Sequence, residues 1–179
     1  FANDQTFKVP KMDWKRTSKR VLTVERVDGF SINNGSDLRE QGYDASKIVA
    51  DLARVIFLQI FRDGFFHADL HPGNIFITSD LQIRPVDFGI MGRIDRPTRL
   101  YLAEILMGFL NRNYEQVSRA HFKAGYVPLS QSEAAFAQAA RAIAEPILEL
   151  PLKDISLAQL LAQLFRVTER FEMETQPQL

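Results

Sequence analysis

The sequence predicts an α+β chain: a mostly helical body that carries one β-hairpin and is preceded by two short strands. Three observations lead there. First, "IFIT" (75–78) and "LQIRPV" (81–86) alternate in polarity on either side of a Ser79-Asp80 turn, the pattern of a hairpin. Second, four apolar-periodic segments follow position 95, each with a start or stop signal. Third, "FKVPKMDW" (7–14) and "KRVLTVERV" (19–27) read as two strands, the second rich in β-branched residues.

Between these strands and the hairpin, "DGFSINNGSD" (28–37) is a Gly/Asn/Ser connector. A helix then runs from Asp44 or Ser46, either a plausible N-cap, to about Arg62, and Gly64 ends it. Its apolar positions 48, 49, 52, 55, 56, 58, 60 and 61 wrap well round the axis, so it is expected to be central and largely buried. After the hairpin, Asp95 with Pro97 opens a helix to about Asn111, and another spans roughly 113–124. Ser130-x-x-Glu133 matches a capping box ahead of an Ala-rich helix that Pro146 is expected to end or kink. Ser156 can cap the last helix, whose apolar side (Leu157, Leu160, Leu161, Leu164, Phe165, Val167) reads as core.

At 179 residues and 46% apolar content the chain can bury a core. Lys+Arg and Asp+Glu balance at 22 each, which points to neither nucleic acid nor an acidic partner. The absence of Cys excludes disulfides, thiol catalysis and Cys-ligated metal. No apolar run approaches 18 residues and no signal-peptide pattern opens the chain. It begins with Phe1 and ends in the polar "FEMETQPQL", so a piece of something longer is expected.

The chemistry concentrates in "FFHADLHPGN" (65–74). A zinc site on His67 and His71 fails on geometry, because residues four apart share a face only on a helix and Pro72-Gly73 oppose one there. The hairpin suggests more. Asn74 precedes its first strand and Asp87 follows its second, so the fold-back returns Asp87 to the end where Asn74 stands. An amide oxygen and a carboxylate side by side are hard ligands suited to Mg²⁺ that keeps waters and phosphate oxygens. Asp69, in the loop five residues earlier, faces the same space and can orient or deprotonate an attacking hydroxyl or water. The bland alternative is a capped loop and hairpin without chemistry.

The stretch His67-Ala68-Asp69-Leu70-His71-Pro72-Gly73-Asn74 resembles the H-R-D-L-K-x-x-N catalytic loop of protein kinases, and Asp87-Phe88-Gly89 resembles their D-F-G. More narrowly, "VLTVERVDG" (21–29), "FFHADLHPGN" and "VDFGIMGRID" (86–95) resemble, in order and spacing, the UbiB family. These are atypical kinase-like proteins related to the mitochondrial ADCK proteins and supporting ubiquinone biosynthesis. The resemblance is close over about 1–95 and looser beyond. It implies a protein-kinase-like fold, with 1–29 as remnant N-lobe strands and hinge and 30–179 as the helical C-lobe.

The resemblance also implies the cofactors ATP and Mg²⁺ and a role for each position. Asp69 is the catalytic aspartate and His71 stands where kinases carry a Lys that meets the γ-phosphate; Asn74 and Asp87 hold Mg²⁺. The backbone of Glu25, Arg26 and Val27 is the adenine-binding hinge, with Val24 as gatekeeper. Ala68 replaces the Arg that receives an activation-loop phosphate. Only about seven residues separate Gly89 from the helix opening near Pro97, and no A-P-E follows, so a water, lipid or small-molecule acceptor is expected over a protein. The strand Lys, its Glu partner and the family's K-x-G-Q belong before the hinge, and about 20 residues precede it here. ATP turnover by this chain alone is therefore not expected.

The implied partners are nucleotide, lipid or quinone precursors and other ubiquinone-biosynthesis proteins. The whole protein is expected at the cytoplasmic face of the inner membrane, through segments outside this chain. Two rivals stand beside this reading: an aminoglycoside- or choline-type phosphotransferase, and a non-catalytic nucleotide-binding module. His67 is expected to pack against Phe88 and bond backbone, and His121 to pack without a role. Arg93 and Arg96 fit either phosphate contact or local pairing. Lys8, Lys11, Lys15, Arg16, Lys19 and Arg20 read as a solvated strand face, with membrane attraction the minor alternative.

Overall fold

The computed structural model describes residues 1–33, 42–150 and 157–173 of the chain. Its backbone clusters into two compact units, Phe1–Arg93 and Ile94–Leu179. In the first, the elements are β1 (Phe30–Ser31), α1 (Ala45–Phe57) running into a π-helical turn (Leu58–Asp63), and β2 (Phe65–His67). They continue with a 3₁₀ turn (Pro72–Asn74), β3 (Ile75–Ile77), β4 (Ile83–Pro85) and β5 (Met91–Arg93).

The expected hairpin is present. β3 and β4 pair antiparallel as Ile75↔Pro85, Phe76↔Arg84 and Ile77↔Ile83 around a turn closed by the Leu81 N–H donating to Thr78 C=O at 2.9 Å. Ile75, Ile77 and Ile83 point to one face and are fully buried, while Phe76 and Arg84 on the other face are half-buried. Onto that buried face pack Phe7 and, from α1, Ile48 and Val55. Asp44 caps α1 through the N–H groups of Ser46 and Lys47, and Gly64, at φ 63°, closes the π turn by donating to the Gln59 carbonyl.

Three expectations for this unit need correction. α1 is not buried all round: its core contact is one face, and Val49 and Phe57 on the other face are exposed. The connector after residue 28 is partly strand, because Phe30 and Ser31 pair with Ile77 and Phe76 and make β1 the third strand of the sheet. Its start depends on Gly29, since a Cβ there would lie 2.6 Å from the Ile77 carbonyl oxygen. The runs 7–14 and 19–27 form no extended strands. They fold into a loose ribbon held by single bridges, Met12↔Val24 and Ser18↔Val21, with Phe7 bridging Ile83. Apart from Phe7, most of the ribbon's large apolar side chains are exposed: Trp14 by 74%, and Val21, Leu22 and Val24 with it. The six basic residues of this stretch are exposed as expected.

The second unit comprises α2 (Arg96–Leu110), α3 (Tyr114–Lys123), α4 (Glu133–Leu148) and α5 (Leu157–Arg170). Asp95 caps α2 with Pro97 in its first turn, and Asn113 caps α3. Small residues let the helices approach: Gly108 sits against Val117, and Ala137, Ala140 and Ala144 pack with Tyr114 and Val117. Phe122, Val127, Phe136 and Phe171 form a second cluster. His121 lies beside it, 4.9 Å from the Phe136 ring, and burial pushes its imidazole below the usual value. The cap of α4 is Ser132, which accepts the Ala135 N–H, rather than Ser130, and the helix runs through Pro146 to Leu148. The expected cap Ser156 lies outside the described residues. Leu161, Leu164 and Phe165 of α5 are exposed rather than core, Phe165 by 69%, because α5 packs chiefly through its C-terminal end at Val167 and Phe171.

Two outcomes follow from this packing. Gly29→Ala is expected to detach β1 from β3 and lower stability to urea by about 1–3 kcal/mol, the range for forced overpacking. Asp4 ties the N-terminal segment to α1, accepting from the Thr6 and Phe7 N–H groups and from the Arg54 guanidinium. Burial alone raises its pKa, but Arg54 and the Thr6 donors outweigh it and hold the carboxyl well below the usual range. The folded value is the lower one, so its stabilisation is complete above the unfolded carboxylate's pKa near 4 and is lost as pH falls through the folded value. Asp4→Asn therefore lowers the melting temperature at pH 7, and its gap to the unsubstituted protein narrows progressively below about pH 4.

Candidate active site

The hairpin brings Asp87 back to Asn74. Pairing continues one step beyond β4, where the Val86 N–H donates to the Asn74 carbonyl at 2.8 Å, so Asp87 is the next residue along the chain. Asn74 is buried, and its Nδ2 donates to the Asp69 carbonyl at 3.4 Å, which joins the loop aspartate to the pair. The amide oxygen Oδ1 then faces away from that bond, and among the described residues no donor takes it. Asp87 is exposed and has φ 60°, a left-handed conformation in which Asp and Asn cost least among side-chain-bearing residues. Its Oδ1 accepts the Gly89 N–H at 3.2 Å, and the carboxylate has a second oxygen to offer a cation.

The amide oxygen of Asn74 and the Asp87 carboxylate fit Mg²⁺ by donor type. Among the described residues no group of three or more His, Asp or Glu side chains gathers around one point. A cation here would rest on two side chains plus water and phosphate, which suits an ion that dehydrates reluctantly.

The two histidines do different work. His67 is buried; its ring lies 5.4 Å from that of Phe88 and its Nδ1 accepts the Asp69 N–H at 3.2 Å. That matches the packing role expected of it and shapes the turn into Asp69. Its Nε2 is buried without a partner among the described residues. His71 is exposed and caps the 3₁₀ turn, its Nδ1 accepting the Gly73 N–H at 3.0 Å. Accepting at Nδ1 requires the tautomer with hydrogen on Nε2, so His71 presents an Nε2–H donor outward. A Cβ on Gly73 would lie 2.7 Å from the ring, so a side chain there would have to displace His71.

The hinge candidates lie in the ribbon. The Glu25 N–H donates to the Lys11 carbonyl at 2.7 Å. Its carboxylate accepts the Lys11 N–H and pairs with Arg84 of β4 at 2.9 Å. The Lys11 N–H first, and then Arg84, hold this carboxyl below its usual range. This ties the Glu25 segment to the back of the hairpin. The Arg26 side chain pairs with Asp28 in solvent at 3.1 Å, and Val27 is half-buried. The Arg93 guanidinium stacks 4.7 Å over the Phe65 ring.

Two features escaped the sequence reading. One is a second sheet, β2 with β5, in which His67 pairs with Met91 and the Ala68 N–H donates to Ile90 C=O. The other is Gln59, 6% exposed, whose Oε1 accepts the His67 N–H at 2.9 Å. A lone amide in the apolar run 55–61 was the available signal.

A catalytic-type loop and a D-F-G stretch on one hairpin define a protein-kinase-like class. Known proteins agree. The model of the ABC1 atypical kinase-like domain matches residues 1–121, and that of the UbiB helical domain matches residues 140–179. "Probable protein kinase UbiB" of Marinobacter nauticus is 40% identical over 183 residues, covering 100% of this chain and 34% of that protein. The protein of the same name from Xanthomonas axonopodis pv. citri is 41% identical over 177 residues, covering 96% of this chain and 32% of that protein. The chain thus spans about a third of the length of the curated relatives it matches. Rv3197 of Mycobacterium tuberculosis, solved in complex with erythromycin, shares the backbone fold at 18% identity. Its TM-score is 0.60 over 93% of this chain and 49% of that one. The chain belongs to the ABC1 atypical kinase-like family, in its UbiB branch. The comparisons do not favour an aminoglycoside- or choline-type phosphotransferase. Among the described residues no helix is long and apolar enough to cross a membrane.

The left-handed backbone at Asp87 separates two substitutions. Asp87→Asn keeps a side chain that tolerates φ 60° and is expected to unfold within about 0.5 kcal/mol of the unsubstituted protein. Asp87→Ala is expected to lose about 1 kcal/mol more, read from paired urea titrations.

Proposed function

We propose that the protein containing this chain binds Mg²⁺ and ATP and transfers or hydrolyses the γ-phosphoryl group in support of ubiquinone biosynthesis. One observation carries the reading. The hairpin holds Asn74 and Asp87 at one strand end, through Val86 N–H to Asn74 C=O, with Asp69 tied to Asn74 by its carbonyl.

Asn74 and Asp87 would hold the Mg²⁺, which when bound neutralises charge on the phosphate oxygens. Asp69 spends its backbone N–H on His67 and its C=O on Asn74, which leaves the carboxylate to orient the acceptor hydroxyl or water. The outward Nε2–H of His71 is a neutral donor for a phosphate oxygen. At the hinge the Glu25 N–H is already used, so the Glu25 carbonyl and the backbone of Arg26 and Val27 are the groups left for adenine.

The short run from Gly89 to α2 offers no shelf for a peptide, so the acceptor is water, a lipid head group or a quinone precursor. Such acceptors fit a protein working at the cytoplasmic face of the inner membrane with other ubiquinone-biosynthesis proteins, anchored by segments outside this chain.

Calorimetric titration of the full-length protein with Mg-ATP tests the site. Asp87→Ala is expected to weaken Mg²⁺-dependent nucleotide binding about tenfold or more, and unchanged affinity overturns the reading.

A further inference from the structure

We propose that Gln59 is a positioning residue for the catalytic loop, and that the π-helical turn Leu58–Asp63 serves to aim it; the inference deepens the proposed function and rests on that reading. Gln59 stands in an otherwise apolar stretch, "VIFLQIF" (55–61), and is 94% removed from solvent. A buried amide is costly unless its polar atoms are used. Gln59 is used twice. Its backbone carbonyl accepts the Gly64 N–H, the five-residue spacing that widens the turn, and its side-chain Oε1 accepts the His67 N–H in a wholly buried bond.

The need for that acceptor comes from β2. In a strand, successive N–H groups point to opposite edges. The Ala68 N–H goes to Ile90, on the side of β5. The His67 N–H therefore points to the other edge, where no strand lies in the two-stranded sheet. The Gln59 side chain stands in for the missing strand. From there a line of hydrogen bonds runs to the chemistry: Gln59 Oε1 to the His67 N–H, His67 Nδ1 to the Asp69 N–H, and Asp69 C=O to Asn74 Nδ2. Each link fixes the backbone just before a residue of the site. Gln59 acts through the loop backbone; it sets where Asp69 and Asn74 stand.

The test uses the full-length protein, with Gln59→Leu, Gln59→Asn, whose shorter side chain cannot reach, and Gln59→Glu, which keeps an acceptor oxygen in either protonation state. Amide hydrogen exchange at His67 reads the bond without any ligand. In the unsubstituted protein this amide is expected to exchange as slowly as that of Ile83 in the hairpin core, and to speed up about tenfold or more in Gln59→Leu and Gln59→Asn but not in Gln59→Glu. In turnover assays the same two variants are expected to lose about tenfold in kcat with KM for ATP within about twofold, and Gln59→Glu to restore most of it. Three results each overturn the proposal: His67 exchanging like an exposed loop amide in the unsubstituted protein, unchanged exchange in both deletion variants, or equal loss in all three variants. If neither deletion variant folds, the unsubstituted exchange rate and Gln59→Glu decide. If the unsubstituted protein shows no Mg-ATP turnover, the functional reading fails while the exchange data still decide whether Gln59 anchors the loop.

Discussion

Everything chemical in this chain hangs on the return of the β3–β4 hairpin, carried one residue past its last strand pair by the Val86 N–H on the Asn74 carbonyl. Without it, Asn74 and Asp87 are thirteen positions apart on a flexible chain. With it, they are neighbours at a strand end. The register is protected by burial, because Ile75, Ile77 and Ile83 all point to the core and a one-residue slip would turn them out. The Phe7 segment, β1 and α1 each pack on that hairpin, so the small core of this unit also supports the site.

Departures from relaxed geometry occur both at the site and away from it, for Leu81, Arg112 and Glu172 are left-handed as Asp87 is. Asp87 adopts a left-handed backbone, and the buried His67 Nε2 has no partner among the described residues. The π turn interrupts α1 directly before β2. The helix starts are regular, with the side-chain caps Asp44, Asp95 and Asn113. The histidines divide accordingly. His67 shapes the loop from inside, whereas His71 holds the turn and keeps one ring nitrogen outward.

The helical unit is built on a different principle. Gly108 and the alanines of α4 give close helix approach, and three phenylalanines with Val127 make a second cluster that α5 joins through Val167. The outward Leu161, Leu164 and Phe165 show how far amphipathicity alone can mislead: the period marks an apolar face without saying whether anything meets it. The same holds for the N-terminal ribbon, whose β-branched residues promised strands but found only single bridges.

What the sequence by itself determined is what short-range physics controls. The hairpin is legible from period-two alternation and a polar turn, and the helix starts at Asp44 and Asp95 from their side-chain acceptors. The grouping of Asp69, Asn74 and Asp87 is legible because one local fold-back joins them. Tertiary structure decided the rest. β1 on β3, β2 on β5 and the salt bridge from Glu25 to Arg84 join segments whose partners lie beyond any local window, and the contact of Gln59 with His67 depends on how the chain turns between them. The shift of the α4 cap from Ser130 to Ser132 and the exposure of α5 were likewise settled by packing. Propensity and periodicity describe a segment against water, whereas pairing and burial depend on which other segment arrives to replace that water.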